Sequence, residues 1–240
     1  MDEKMRINKY LSSSGYCSRR EADRLLEQGR VTIDGRKAEL GDRAGEGEKV
    51  CVDGKPVYPE KKRIVIAFHK PAGVVCTSSR KEKNNIIDYI RFPQRIYPVG
   101  RLDKDSTGLI FLTNDGELMD RILRGKNGHE KEYIVQVNRP IKPEILAAMS
   151  QGVPILDTMT RPCKIEPMNE RTFRIVLTQG LNRQIRRMCE YFGYKVTKLK
   201  RVRIMNVVLD GLQEGKWRYL TEEELRIMEK SLKGQKFYNE

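Results

Sequence analysis

The stretch that most limits how this chain can fold is PVGRLDKDSTGLIFLTNDGE, residues Pro98 to Glu117. Gly100 offers a tight turn, and the apolar run Leu109–Leu112 contains no proline and closes on Asn114-Asp115-Gly116. A run that short, ended by turn residues, predicts a buried strand, and therefore a sheet on either side of it. Asp103 then falls on a loop entering that sheet, with Arg101 two residues before it and Lys104 directly after. A loop held by a rigid strand is a common place for a reacting carboxylate. Taken alone, an R-x-D tripeptide more often caps a turn.

Chain length and charge say what could surround such a strand. A chain of 240 residues allows one large domain, or a small domain followed by a large one. Residues 1–58 hold 12 basic and 11 acidic side chains, a net +1, whereas the rest of the chain holds 35 and 22, a net +13. That excess is more than solubility needs and predicts a polyanionic partner. Cys17, Cys51, Cys76, Cys163 and Cys189 are odd in number and never spaced as CxxC. They read as reduced thiols of a cytoplasmic protein, not as a disulfide framework or a metal site. The opening MDEKMRINKY lacks the apolar run of a secretory leader, and no stretch has the length and apolarity to cross a bilayer. HExxH, Walker A and GxGxxG patterns are missing, which disfavours metal hydrolysis, nucleotide-driven chemistry and dinucleotide redox; no cofactor is expected.

Residues 5–57 read as a compact block. Met5–Ser13 has irregular helical spacing and stops at Gly15. Ser18-Arg19-Arg20-Glu21 is a capping box that starts a second helix, running to Gln28 with Ala22, Leu25 and Leu26 inward. Asp34-Gly35 and Asp53-Gly54 each sit between short strand-forming runs, the strongest local hairpin signal. Arg6, Lys9, Arg19, Arg20, Arg24 and Arg30 lie on or near the two helices, so the near-neutral sum conceals a basic face. Residues 59–63 are polar and proline-bearing, and read as a linker.

Beyond the linker, Ile64–Phe68 and Val74–Thr77 are expected strands, and Ile86–Ile90 and Leu118–Leu123 short helices. Ile134–Val137 alternates as a strand with Tyr133 near its start, and Phe173–Thr178 alternates likewise. Arg183–Phe192 is an expected helix stopped by Gly193. Its apolar face is Ile185, Met188, Cys189 and Phe192, and Arg186 lies on the flank of that face, where a half-buried guanidinium is expected. Eight basic residues and one acid fall between Arg183 and Arg203, with Lys198, Lys200, Arg201 and Arg203 along a strand that could track phosphates. Thr221–Glu224 is a second capping box, opening a last helix to about Leu232, after which Lys233–Glu240 is expected to be loose.

GRLDKDSTGLIFLTNDGE resembles the signature segment of the pseudouridine synthases of the RsuA family. HKPAG (69–73) is similar to that family's opening motif, KEY (131–133) to its second and GLNRQIRRM (180–188) to its third. RINKYLSSSGYCSRREADRLLEQGRVTIDGRKA resembles the small RNA-binding domain named after ribosomal small-subunit protein four. LNRQIRRMCEYFGY and KRVRIMNV resemble the RluF type, which acts on large-subunit ribosomal RNA.

The resemblance implies an α+β protein. A small N-terminal RNA-binding domain (1–58; two helices plus short strands) would be joined by the linker to a catalytic domain (64–240). That larger domain would be a mixed, mainly antiparallel sheet with flanking helices. It implies that Asp103 is the nucleophile, that Tyr133 stacks on the target base and that Arg186 pairs with Asp103. A planar guanidinium fork fixes a carboxylate in two directions. Arg101, Lys70, Arg183, Arg187, Lys198, Arg201 and Arg203 would then hold substrate, with Lys70 on a phosphate or a carbonyl. Arg6, Lys9, Arg19, Arg20 and Arg24 would dock RNA through its phosphates. The implied activity is isomerisation of a flipped-out uridine in 23S ribosomal RNA by a cytoplasmic monomer, without cofactor, since nothing is oxidised or hydrolysed overall. A non-catalytic RNA-binding or assembly factor would share the charge and the front block. It would have no use for an acid inside a phosphate site.

Overall fold

In the computed structural model, which describes residues 4–60, 62–79, 81–124 and 128–233, Met5 and Arg6 form a short strand instead of the first turn of a helix. Two units are present: residues up to Ile64 together with Phe92–Ile96 and Asn114–Gly116, and the remainder. In the first unit, β1 (Met5–Arg6) leads into α1 (Ile7–Ser13) and α2 (Arg19–Glu27). The helices bury Ile7, Tyr10, Leu11, Ala22, Leu25 and Leu26 in a common core. Ser18 Oγ accepts from the Glu21 amide at 3.1 Å, one half of the expected capping box; the Glu21 carboxylate turns to Arg24 instead. β2 (Val31–Ile33) and β3 (Arg36–Lys37) form the first hairpin. β4 (Arg43–Ala44) pairs with β1, and β5 (Val50–Val52) with β6 (Lys55–Pro56) forms the second hairpin. Both Asp-Gly turns have positive φ at each residue, as a two-residue hairpin turn requires. Lys61 of the expected linker and residues 234–240 of the expected tail lie outside the described residues.

The second unit is built on a nine-stranded sheet. Its elements begin with β7 (Val65–Lys70), α3 (Ile86–Ile90), β8 (Tyr97–Pro98), β9 (Thr107–Thr113), α4 (Gly116–Leu123) and β10 (Lys131–Val137). Then come α5 (Pro143–Ser150), β11 (Pro154–Ile155), β12 (Thr158–Met159), β13 (Lys164–Asn169) and β14 (Thr172–Leu177), of which only the last had a sequence signal. α6 (Gln184–Tyr191), β15 (Val196–Ile204), β16 (Val207–Val208), β17 (Trp217–Tyr219) and α7 (Glu222–Lys233) complete it. The strand order is β13-β14-β10-β15-β9-β7-β17, with β16 on β15 and β8 on β9. Within this sheet, only the β15–β9 contact is parallel among the described strand pairings, so the sheet is mixed and mainly antiparallel, as expected for an α+β protein.

Two apolar cores flank this sheet. One joins Val135, Phe173, Ile175 and Leu199 to Ile185, Met188 and Cys189 of α6. The other joins Val65, Ala67, Leu109 and Phe111 to Leu118 and Ile122 of α4 and Met228 of α7. α7 starts with the reciprocal box foreseen: Thr221 Oγ accepts from the Glu224 amide, and Glu224 Oε2 from the Thr221 amide. Val74–Thr77 is not a strand. After the Gly73 turn it bonds back to the cap of α3, with Val75 N donating to Asn84 O and Ile86 N to Val75 O. The parallel contact depends on Gly108, whose φ is +112 and whose absent side chain lets the Arg201 backbone approach.

Candidate active site

The loop ahead of β9 is held in place by its own turns. Gly100 takes φ +79, Leu102 N donates to Cys76 Sγ, and Ser106 N donates to Asp103 O at 3.1 Å, closing a turn on Asp103. Asp103 is thereby set at the head of a buried strand with its side chain 30% exposed. The loop faces the start of α6, where Arg183 occupies the N-cap position at φ 50.

Arg186 is buried rather than half buried, at 8% side-chain exposure, because the Asp103–Ser106 turn covers the flank on which it lies. Its Nη1 donates to Val196 O at 3.3 Å, and its Nη2 to Ser106 Oγ at 3.3 Å and Asp105 O at 3.4 Å. Nε faces Asp103 Oδ2 at 4.0 Å, an ion pair beyond hydrogen-bond reach. The nearer carboxylate is Asp105, whose Oδ2 lies 3.2 Å from Nη2. Arg183 Nη1 bridges both acids, 3.8 Å from Asp103 and 3.6 Å from Asp105. Asp105 was not singled out from the sequence. Its signal is its place in the same turn, two residues after Asp103.

Asp103 and Tyr133 line one cavity of about 510 Å³, together with Arg101, Lys131, Leu181, Arg183 and Arg201. Tyr133 is half buried on β10, and the Arg201 guanidinium lies 6.0 Å from its ring centroid. Lys131 donates to His129 O at 3.3 Å, and burial, followed by the nearby Arg201 charge, pushes its pKa down. Lys131 opens the KEY motif, and nothing in the local sequence marks its place in the cavity wall.

The cations expected to hold substrate differ in burial and in the partners they already have. Lys70 is fully buried, and its ammonium donates to Pro71 O at 2.8 Å and Lys104 O at 3.4 Å, so it braces the loop through carbonyls. Burial pushes its pKa down as well. Arg201 is 3% exposed and donates to Leu109 O at 2.6 Å, inside the fold and not on an outer track. Arg203 is engaged by Glu132 at 2.8 Å and Glu130 at 2.9 Å. Arg187 donates to Asn182 O, whereas Arg101, Arg183 and Lys198 are exposed. In the first unit, Arg6, Arg19, Arg20 and Arg24 are exposed and Lys9 is half buried.

Residues 64–191 match the family described as RNA pseudouridylate synthase, and residues 5–50 match the S4 domain. The dual-specificity RNA pseudouridine synthase RluF of Escherichia coli (strain K12) is 53% identical over 226 residues, covering 93% of this chain and 78% of that protein. The ribosomal large subunit pseudouridine synthase B of Bacillus subtilis (strain 168) is 34% identical over 230 residues, covering 92% and 94%. The crystal structure of a pseudouridylate synthase aligns with a TM-score of 0.68 at 28% identity, covering 93% of this chain and 99% of the other.

Proposed function

The chain belongs to the RNA pseudouridylate synthase family, and from that premise we propose that it acts on 23S ribosomal RNA of the large subunit with Asp103 as its nucleophile. Family membership makes it an RNA-modifying isomerase and sets aside the non-catalytic binding factor. The large-subunit substrate is supported by the name and 34% identity of the Bacillus relative. The observation that carries the site assignment is convergence. Asp103 and Tyr133, from separate segments, open on one cavity, while Arg186 ion-pairs with Asp103 from behind it.

The reaction breaks the bond between uracil N1 and ribose C1′, turns the base and joins C5 to C1′; the C5 proton is lost and N1 gains one. A carboxylate serves as nucleophile by accepting a bond that is later released. Asp103 is exposed enough to meet a substrate and is flanked by cations. The Tyr133 ring offers a face for the base, and a cavity of about 510 Å³ is of nucleotide size. The uridine leaves its stack to enter, at roughly a few kcal/mol. Arg101, exposed beside Asp103, holds the vacated position or the flipped nucleotide's phosphate, and Arg183 and Lys198 meet backbone phosphates. Residues 1–58 dock the enzyme on RNA through Arg6, Lys9, Arg19, Arg20 and Arg24, and residues 64–240 carry the chemistry. The protein works as a cytoplasmic monomer.

Tritium release from ribosomal RNA labelled at uridine C5 tests the nucleophile. Asp103→Asn is expected to release none while still binding RNA; retention of about a tenth of wild-type turnover would refute the assignment. Mapping pseudouridines in 23S ribosomal RNA with and without the gene tests the substrate.

A further inference from the structure

Asp103 is not the closest acid to the buried arginine of this site. Arg186 has 8% of its side chain exposed, and its nearest carboxylate is Asp105, at 3.2 Å against 4.0 Å for Asp103. The two acids belong to one turn, closed by the Ser106 N to Asp103 O bond, and approach different nitrogens of the same guanidinium, Asp103 at Nε and Asp105 at Nη2. Nη1 is taken by Val196 O and Nη2 by Ser106 and Asp105. Nε, the nitrogen nearest Asp103, has no hydrogen-bond acceptor among the described residues. Asp105 is itself 52% exposed, so packing does not require a carboxylate there.

The chemistry at Asp103 gives that carboxylate a use. When an Asp103 oxygen bonds to the substrate, the carboxylate becomes an ester and the electron pair passes to the uracil, which carries the negative charge. Arg186 then loses its charge partner at Asp103 while remaining buried. An unpaired buried cation is strongly unfavourable, and the penalty would fall on the step that forms the bond. We propose that Asp105 is a positioning residue for Arg186. It is the standing counter-ion that keeps the guanidinium paired and oriented while the charge of Asp103 is consumed. This rests on the assignment of Asp103 as nucleophile.

The test uses the full chain and compares Asp105→Asn, Asp105→Glu and Asp103→Asn. Turnover at saturating RNA is read separately from the RNA concentration that gives half-maximal rate. Asp105→Asn keeps an acceptor oxygen and loses the charge; it is expected to lower turnover about tenfold with the half-saturating RNA concentration unchanged. Asp105→Glu restores the charge at an exposed position and is expected to recover most of the turnover. Wild-type turnover in Asp105→Asn, or a glutamate variant as slow as the asparagine variant, overturns the proposal. A defect confined to the half-saturating RNA concentration also overturns it, since that would be a binding role. Asp103→Asn separates the two assignments. If it is inactive while Asp105→Asn is normal, only the role of Asp105 falls; if it is active, the nucleophile assignment falls first.

Discussion

Replacing Gly108 by alanine would strike the parallel contact between β9 and β15. A Cβ at this position would stand 2.2 Å from Arg201 O, 2.5 Å from Arg201 N and 2.9 Å from Arg201 C, all backbone atoms of β15. Ordinary contact begins at 3.4 Å, so the strands would have to part by about 1.2 Å (3.4 less 2.2) at that residue. Overpacking of this kind costs about 1–3 kcal/mol, and the φ of +112 adds strain of about 1 kcal/mol for a side-chain-bearing residue. The adjacent bond from Arg201 Nε to Leu109 O, at 2.6 Å, would also be disturbed. The expected loss is about 4 kcal/mol in all. Gly211→Ala is the control: its φ is +70 but nothing lies within 4 Å of the added carbon, so it carries strain without a clash. Trp217, the only tryptophan, lies on β17 of the same sheet, so its fluorescence reports urea unfolding of this unit. A difference of about 3 kcal/mol between the two variants should separate their midpoints by roughly 1 M urea. Coincident midpoints would refute the reading of the β9–β15 approach as a steric requirement. Turnover should fall in parallel, because β15 supplies both Arg201 and the Val196 carbonyl that holds Arg186.

Arg186→Lys should lower turnover by about a hundredfold, since one ammonium cannot serve Val196 O, Ser106 Oγ and two carboxylates together; near-normal turnover would contradict the fork geometry. Arg19→Glu combined with Arg20→Glu, at exposed positions opening α2, should raise the half-saturating RNA concentration and make the log–log salt dependence of binding shallower by about 1–2 units. An unchanged salt slope would remove this helix from RNA docking. The buried Cys189 thiol is pushed up to about 12 from 9.0, chiefly by desolvation. The folded state therefore keeps its proton where the unfolded chain has lost it. Stability should be full below pH 9 and fall above it by about 1.4 kcal/mol per pH unit towards 12. Urea midpoints at pH 8 and 10 should show a smaller fall in Cys189→Ala than in wild type; equal falls would contradict the assignment.

What the chain discloses by itself is whatever depends on near neighbours. The Leu109–Leu112 run between turn residues marks β9, the Asp-Gly pairs mark two hairpins, and Thr221 with Glu224 marks the start of α7. These follow from dihedral preference and short-range hydrogen bonding, which operate over a few residues. The family motifs likewise single out Asp103, Tyr133 and Arg186 from the sequence alone. Only the tertiary structure decided which strands pair and which charges are covered. Val74–Thr77 has the composition of a strand and finds no ladder, because a strand exists only with a partner and the Gly73 turn directs this segment to the cap of α3. Lys70 and Arg201 look like surface cations in the sequence and are buried, because carbonyls of Pro71, Lys104 and Leu109 take their donors inside the fold. Asp105 became visible as a partner of Arg186 only when the turn before β9 met the start of α6. Burial and ion pairing are set by what packs across distant segments, and no local pattern encodes that.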